Sequence, residues 1–278
     1  MTSTLDRATV FDRDHDTKTL TTGGHEWTYY TSDSGAATVL LLTGGAGIAI
    51  GWLDLTPALH PDFHTLAMDY PPGPTTLDEL ADGIIAILDA ENIDSAHVVG
   101  QSAGGMLAEV LSQRAPERVR SLILSGTGLY GPEDITRLEG ALARTRDTPW
   151  EQTLSAIQTS LRSTWGESAE AEFWIDRVDA ATRTGGQQGA INSYLRLLDA
   201  AQRLPQLQSE PAWQGPTLII KADDDPLITT AHTQRLRDRH PAAESRTFTD
   251  GGHSLLISRP DDYIATVTEF LRRHTRID

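Results

Sequence analysis

The run Val98-Val99-Gly100-Gln101-Ser102-Ala103-Gly104-Gly105-Met106-Leu107-Ala108 puts a serine where a strand pattern turns abruptly into a helix pattern. Two β-branched residues lead into Gly-x-Ser-x-Gly, and helix-forming residues follow at once. A hydroxyl pushed out of a strand end this way requires a strained backbone at the serine, and Cβ atoms two residues to either side would collide. Gly100 and Gly104 remove both. A serine nucleophile needs a base and a group to orient that base. The candidates lie downstream. Asp223-Asp224-Asp225-Pro226 closes one apolar run, and Gly251-Gly252-His253-Ser254 closes the last one. Of nine histidines, His253 is the one in a glycine turn after a final strand pattern.

Composition narrows the chemistry. There is no cysteine, which removes disulfides, thiolate zinc sites and cysteine nucleophiles. The formal net charge of −16 disfavours nucleic acid and anionic membranes as partners and reads most simply as a solvated acidic surface. Residues 1–15 mix Asp6, Arg7, Asp12, Arg13 and Asp14 with scattered apolar residues, so no secretory leader is expected there. No stretch reaches membrane-spanning length. These features predict a soluble, cytoplasmic protein. No histidine–carboxylate set has ligand spacing, so neither a metal nor an organic cofactor is expected.

The elements that must position the serine alternate along the chain. Thr17 to Tyr30, around Gly23-Gly24, reads as a hairpin, with a turn at 31–35. Thr38–Leu42, His64–Asp69, Ser95–Val99 and Val119–Leu124 read as strands, the first a continuous apolar run of the kind buried on both faces of a parallel sheet. A short helix is expected around 51–59. A longer one starts at Thr76, whose spacing to Glu79 is that of a capping box. Residues 103–114 follow the serine as a helix. From Leu129 to about Gln214 strand patterns stop. Helices are expected after Thr148-Pro149-Trp150-Glu151 and around Phe173, Trp174 and Val178, then around Ile191, Tyr194, Leu195 and Leu198, with a break or hinge at Gly185-Gly186 and Gly189. Trp150, Trp165, Trp174 and Trp213 are read mainly as this segment's own packing. Strand patterns return at Thr217–Ile220 and Ser245–Thr249, separated by a helix through Leu236, and a helix from about Pro260 closes the chain. Length and alternation together indicate one parallel-sheet α/β core with an insertion.

In such a sheet the carboxyl ends of the strands collect the reactive groups. Here those ends hold Thr43 to Gly47, Asp69, Ser102, the three aspartates and His253. Serine, acid and histidine come in that chain order.

On these pieces the chain resembles the α/β-hydrolase superfamily over essentially its whole length. The matching motifs are Leu42-Thr43-Gly44-Gly45-Ala46-Gly47, Asp69-Tyr70-Pro71-Pro72-Gly73, Gly100 to Gly104, Ala222 to Pro226 and Gly251-Gly252-His253. The layout is similar to the capped subgroup of esterases, lactonases, carbon–carbon bond hydrolases and proline iminopeptidases. The resemblance implies a mostly parallel eight-stranded sheet flanked by helices, with a core of residues 1–128 and 215–278 and an all-helical cap at 129–214. It implies Ser102 as nucleophile, His253 as base and Asp225, three residues after Ala222, as the orienting acid, with Asp223 and Asp224 capping or solvated. It assigns the oxyanion hole to the backbone N–H groups of Gly45 and Ala103. Thr43 and Ala46 stand where the family usually has histidine and proline, so the outer hydrogen bonds of that loop must be made differently. Asp69 is expected to fix a loop. Lys221 has no evident role.

The implied reaction is hydrolysis of a small, largely apolar ester, lactone or thioester through an acyl-enzyme. Two rivals stand beside it. One is a ligand receptor or non-hydrolytic enzyme on the same scaffold. The other is a proline iminopeptidase-like aminopeptidase, in which Glu139, Glu167, Glu170 and Glu172 would hold a substrate amine.

Overall fold

A computed structural model describes residues 3–33, 35–165 and 168–275. In chain order the elements are α1 (Thr4–Asp14), β1 (Asp16–Thr22), β2 (His25–Thr31), β3 (Ala37–Leu42), α2 (Thr56–Leu59), β4 (Phe63–Asp69), α3 (Leu77–Ala90), β5 (Ala96–Gln101), α4 (Ala103–Arg114) and β6 (Val119–Ser125). A helical segment follows, made of α5 (Pro132–Asp147), α6 (Trp150–Trp165), α7 (Ala169–Gln202) and α8 (Leu204–Ser209). The chain then returns to the sheet with β7 (Thr217–Ala222), α9 (Thr230–Arg239), β8 (Glu244–Phe248), α10 (Leu255–Ser258) and α11 (Pro260–His274).

The eight strands form one sheet in the order β1-β2-β4-β3-β5-β6-β7-β8. The β1–β2 hairpin is antiparallel within itself and to β4, and every other neighbouring pair is parallel. Strand β3 is buried along its whole length. Its alternate residues supply both faces: Leu40 and Leu42 enter one core layer with α3 and α4, while Val39 and Leu41 enter the other with α1 and α11. This is the physical meaning of the continuous apolar run, since each fully buried leucine or valine contributes about 1.5–3 kcal/mol wherever the pleat sends it.

Helix α3 begins as its sequence indicates, with Thr76 Oγ1 accepting the Glu79 N–H and the Glu79 carboxylate accepting the Thr76 N–H, both at 3.2 Å. Helix α1 lies in the charged start, for which the sequence suggested no element. Ser3 and Asp6 form a capping box at its first turn, and Ala8 and Phe11 are buried. Behind the serine, Glu109 of α4 is buried and paired with Arg239 at 2.9 Å and with His240, which fastens α4 to the end of α9.

The helical segment lies between β6 and β7, where the strand patterns lapse. Two of its four tryptophans pack beyond the segment. Trp174 joins the core layer of Phe11 and Trp52, and Trp213 packs against the opposite layer. Ala200 of α7 also joins that opposite layer, so the two halves of α7, before and after its kink, reach opposite faces of the sheet. The expected break is found at one of the three glycines, where two helical stretches meet across a kink. Only Gly186 leaves helical geometry (φ 61°, ψ −167°), while a Cβ at Gly185 or Gly189 would stand 3.3 or 3.1 Å from the Pro72 ring. Those two serve close approach to the loop after β4, and Gly186 makes a kink.

Candidate active site

Strand β5 delivers Ser102 at its carboxyl end with φ 54° and ψ −122°, a conformation that costs a residue with a side chain of order 1–3 kcal/mol. The flanking glycines are required sterically. A Cβ on Gly100 would lie 2.5 Å from Gly104 O, and one on Gly104 would lie 2.1 Å from Leu42 O. A third contact was not legible in the motif: a Cβ on Gly105 would strike the Thr127 side chain at 2.5 Å. Thr127 earns this proximity by donating its hydroxyl to Ser102 O at 2.7 Å. The Ser102 N–H is spent on Ser125 O at 2.9 Å. Both bonds hold the turn from the end of β6.

The three residues that the resemblance implied meet. His253 Nε2 lies 2.8 Å from Ser102 Oγ, and His253 Nδ1 lies 2.9 and 3.1 Å from the two carboxylate oxygens of Asp225. With its proton on Nδ1, the imidazole donates to Asp225 and leaves Nε2 to accept the serine hydroxyl. Asp225 Oδ1 also accepts the N–H groups of Leu227 and Ile228 at 2.8 and 3.1 Å. Burial works to raise the Asp225 carboxyl, but the His253 hydrogen bond and charge and the two backbone donors outweigh it and hold the carboxyl below the usual carboxylate range.

Opposite Ser102, the turn 44–47 closes with a bond from the Gly47 N–H to Gly44 O at 3.0 Å, and Gly45 lies exposed at its tip. Ala103 is the first residue of α4, where a helix has no internal acceptor for its N–H. The departures at Thr43 and Ala46 are met from the loop after β4. Tyr70 donates its hydroxyl to Thr43 O at 3.1 Å and its N–H to Gly47 O at 2.8 Å. Asp69 accepts the Ala49 N–H at 2.7 Å and the Tyr30 hydroxyl at 3.1 Å, which is the loop-fixing role its position suggested. Burial pushes the Asp69 carboxyl up, against these two donors. The Thr43 hydroxyl is buried with no partner among the described residues.

The other candidates separate from this centre. Lys221 pairs with Asp223 at 2.7 Å. Glu170 is engaged by Arg7 at 2.7 Å and Glu172 by Arg162 at 3.2 Å, Glu139 is on α5, and Glu167 lies outside the described residues. Glu133, Asp134 and His232 do come together, with one ligand-type atom each within 4.8 Å of the others, a set that sequence spacing missed because 98 positions separate Asp134 from His232. Its hydrogen bonds oppose a cation. His232 Nδ1 accepts the Thr229 N–H, so Nε2 carries the proton and donates to Asp134 at 3.0 Å. Arg137 occupies the other Asp134 oxygen and Arg235 pairs with Glu133. Two guanidinium groups and a protonated nitrogen leave these carboxylates satisfied without an ion.

Comparison with known proteins agrees with this architecture. The family model described as alpha/beta hydrolase fold matches residues 37–260. A putative carbamate hydrolase, RutD, of Caulobacter segnis is 24% identical over 253 residues, covering 86% of this chain and 92% of its own. The crystal structure of a hydrolase from Pseudomonas aeruginosa PA01 superposes with a TM-score of 0.77 at 23% identity, over 92% of this chain and 98% of that one. The enol-lactonase from Burkholderia xenovorans LB400 gives 0.74 at 21% identity, over 92% and 100%. Likeness at these identities speaks to the fold and leaves the substrate open.

Proposed function

The chain belongs to the alpha/beta hydrolase fold family, and from that premise we propose that it is a serine hydrolase of small, largely apolar esters, lactones or thioesters. The observation that carries this reading is the unbroken line from Ser102 Oγ through the His253 ring to Asp225, with contacts of 2.8 and 2.9 Å.

Ser102 Oγ bonds to the acyl carbon while its proton passes to His253 Nε2. The carbonyl oxygen gains a negative charge that the N–H groups of Gly45 and Ala103 receive, each such donor contributing on the order of a hundredfold or more in rate. The tetrahedral intermediate collapses, the leaving group takes the proton from Nε2, and the acyl group stays on Ser102. Water then repeats the sequence, giving its proton to His253 and releasing the acid. Asp225 keeps the imidazole in the required tautomer and stabilises its charged form. In this reading residues 129–214 act as a helical cap on a core of residues 1–128 and 215–278 and enclose the acyl group. The reach of α7 to both faces of the sheet supports that role. The aminopeptidase alternative is weakened by the arginines that already occupy Glu170 and Glu172.

Hydrolysis of p-nitrophenyl acetate and butyrate by the wild-type chain and Ser102→Ala tests the proposal. The variant should lose about a thousandfold or more in kcat at an unchanged melting temperature. Equal rates for the two proteins would refute it. A panel of esters, lactones, thioesters and carbamates then ranks substrates, the enol-lactonase and carbamate hydrolase relatives supplying two of its classes.

A further inference from the structure

We propose that Asp224, the middle member of the aspartate run, is a positioning residue for His253; this deepens the reading of Ser102 and His253 as nucleophile and base, and rests on it. Asp224 is exposed, yet both of its carboxylate oxygens are engaged. Oδ1 accepts the Gly252 N–H at 2.8 Å and Oδ2 accepts the Gly251 N–H at 3.2 Å. Gly251 and Gly252 have φ of 125° and 64°, so two consecutive residues lie where only glycine is comfortable. Such a pair has no side chains with which to define its own turn. One carboxylate gathering successive backbone donors is the concave anion-binding arrangement that does define it.

The rest of the loop is held from other sides. Ser258 of α10 donates its hydroxyl to Gly251 O at 2.6 Å, and Gln101, next to the nucleophile, donates a longer bond of 3.4 Å to His253 O. The neighbours of Asp224 have other partners. Asp223 pairs with Lys221 through its side chain and spends its N–H on Phe248 O at 2.8 Å, while Asp225 meets the imidazole. One turn therefore grips the backbone just before His253 and also the ring of His253. Remove the first grip and the glycine pair is free to carry the imidazole off line from Ser102, where a misplacement of about 1 Å costs on the order of a hundredfold.

The test is the rate at which a fluorophosphonate labels Ser102, which requires the nucleophile and base but no knowledge of the substrate. Asp224→Ala should lower the maximal labelling rate about tenfold or more, with the half-saturating reagent concentration and the melting temperature unchanged. Asp224→Asn keeps a carbonyl oxygen for the Gly252 N–H and should recover to within about threefold of wild type, as rescue through hydrogen bonding demands. Asp223→Asn, which removes a neighbouring charge, should label at the wild-type rate. Folded Asp224→Ala labelling at the wild-type rate would overturn the proposal, as would equal loss in the alanine and asparagine variants. Should Asp224→Ala not fold, Asp224→Asn and Ser258→Ala decide it, the first fast and the second slowed, with both fast a refutation. Failure of the underlying reading looks different: wild type then labels no faster than Ser102→Ala, and no activated serine is present for Asp224 to serve.

Discussion

The sheet carries two serine–histidine pairs, one at each end of its parallel strands. At the carboxyl end Ser102 meets His253 at 2.8 Å, and at the amino end Ser121 meets His97 at 2.7 Å. Strand β5 contributes to both, with His97 near its start and Ser102 just beyond its finish. Distance alone does not separate the pairs; their surroundings do. His97 and Ser121 are fully buried, and the second nitrogen of His97 meets the Thr275 hydroxyl at 3.2 Å in place of a carboxylate. Burial, then the charges of Arg120 and His274, push the His97 imidazole down to about 4, so near neutral pH it stays neutral and cannot hold an abstracted proton. His253 has Asp225 behind it, and the loops of Gly45 and Ala103 stand beside its serine. His64 repeats the amino-end pattern, set between the Thr31 and Thr38 hydroxyls and lowered by burial. In the proposed reading, what fits the serine–histidine contact at the carboxyl end for acyl transfer is the carboxylate and the backbone donors added to it.

That contrast predicts opposite outcomes for matched substitutions. His253→Ala should lower kcat on the best p-nitrophenyl ester about ten-thousandfold with little change in melting temperature. His97→Asn should leave kcat/KM within about threefold while lowering the melting temperature. Steady-state kinetics and thermal unfolding on both variants check the pair, and a large kinetic loss at His97 would erase the distinction drawn here.

Part of the loss of stability below neutral pH should come from the amino end. His97 binds its proton at about 6.5 when unfolded and only at about 4 when folded. Between these values the unfolded chain holds more protons, so stability falls as pH drops from 6.5 to 4, by about 3 kcal/mol from this residue alone. Urea unfolding at pH 7 and pH 4.5 measures the loss, and His97→Asn should shrink it. An equal loss in the variant would assign the effect elsewhere.

Much of the carboxyl end was legible because its constraints are local. Gly100 and Gly104 are demanded by backbone collisions within one turn, and the buried run of β3 and the capping pair Thr76 and Glu79 follow from periodicity and spacing. The contacts that depend on which strands become neighbours were not. The pairing of His97 with Ser121 requires the β5–β6 register, and the meeting of Asp134 with His232 requires α5 and α9 to be adjacent. The grip of Asp224 on Gly251 and Gly252 depends on two turns facing each other, and nothing in three consecutive aspartates says which oxygen faces which N–H. Helix α1 was missed for another reason. Its capping signal, Ser3 with Asp6, was present, but a helix that buries only Ala8 and Phe11 has little apolar periodicity to show.

The smallest predicted effect bears on how the two ends are built. At the amino end His64, His97 and Ser121 lie in strands and none has a positive φ, although the β5–β6 register shifts between Ala96 and His97, whereas the carboxyl end holds Ser102 at φ 54°. If that conformation stores strain, replacing the residue by one that adopts it freely should release it. Ser102→Ala retains the Cβ and hence the strain, and Ser102→Gly removes both. Against this, glycine gains freedom in the unfolded chain worth about 0.5–1 kcal/mol relative to alanine. With a strain of order 1–3 kcal/mol, Ser102→Gly should be the more stable of the two inactive variants by about 1 kcal/mol, read from urea midpoints at equal m-values. A matched pair at the amino end, Ser121→Gly against Ser121→Ala, should favour alanine, because strand geometry there suits a side chain. Alanine winning at both positions would mean that the elbow is held without strain.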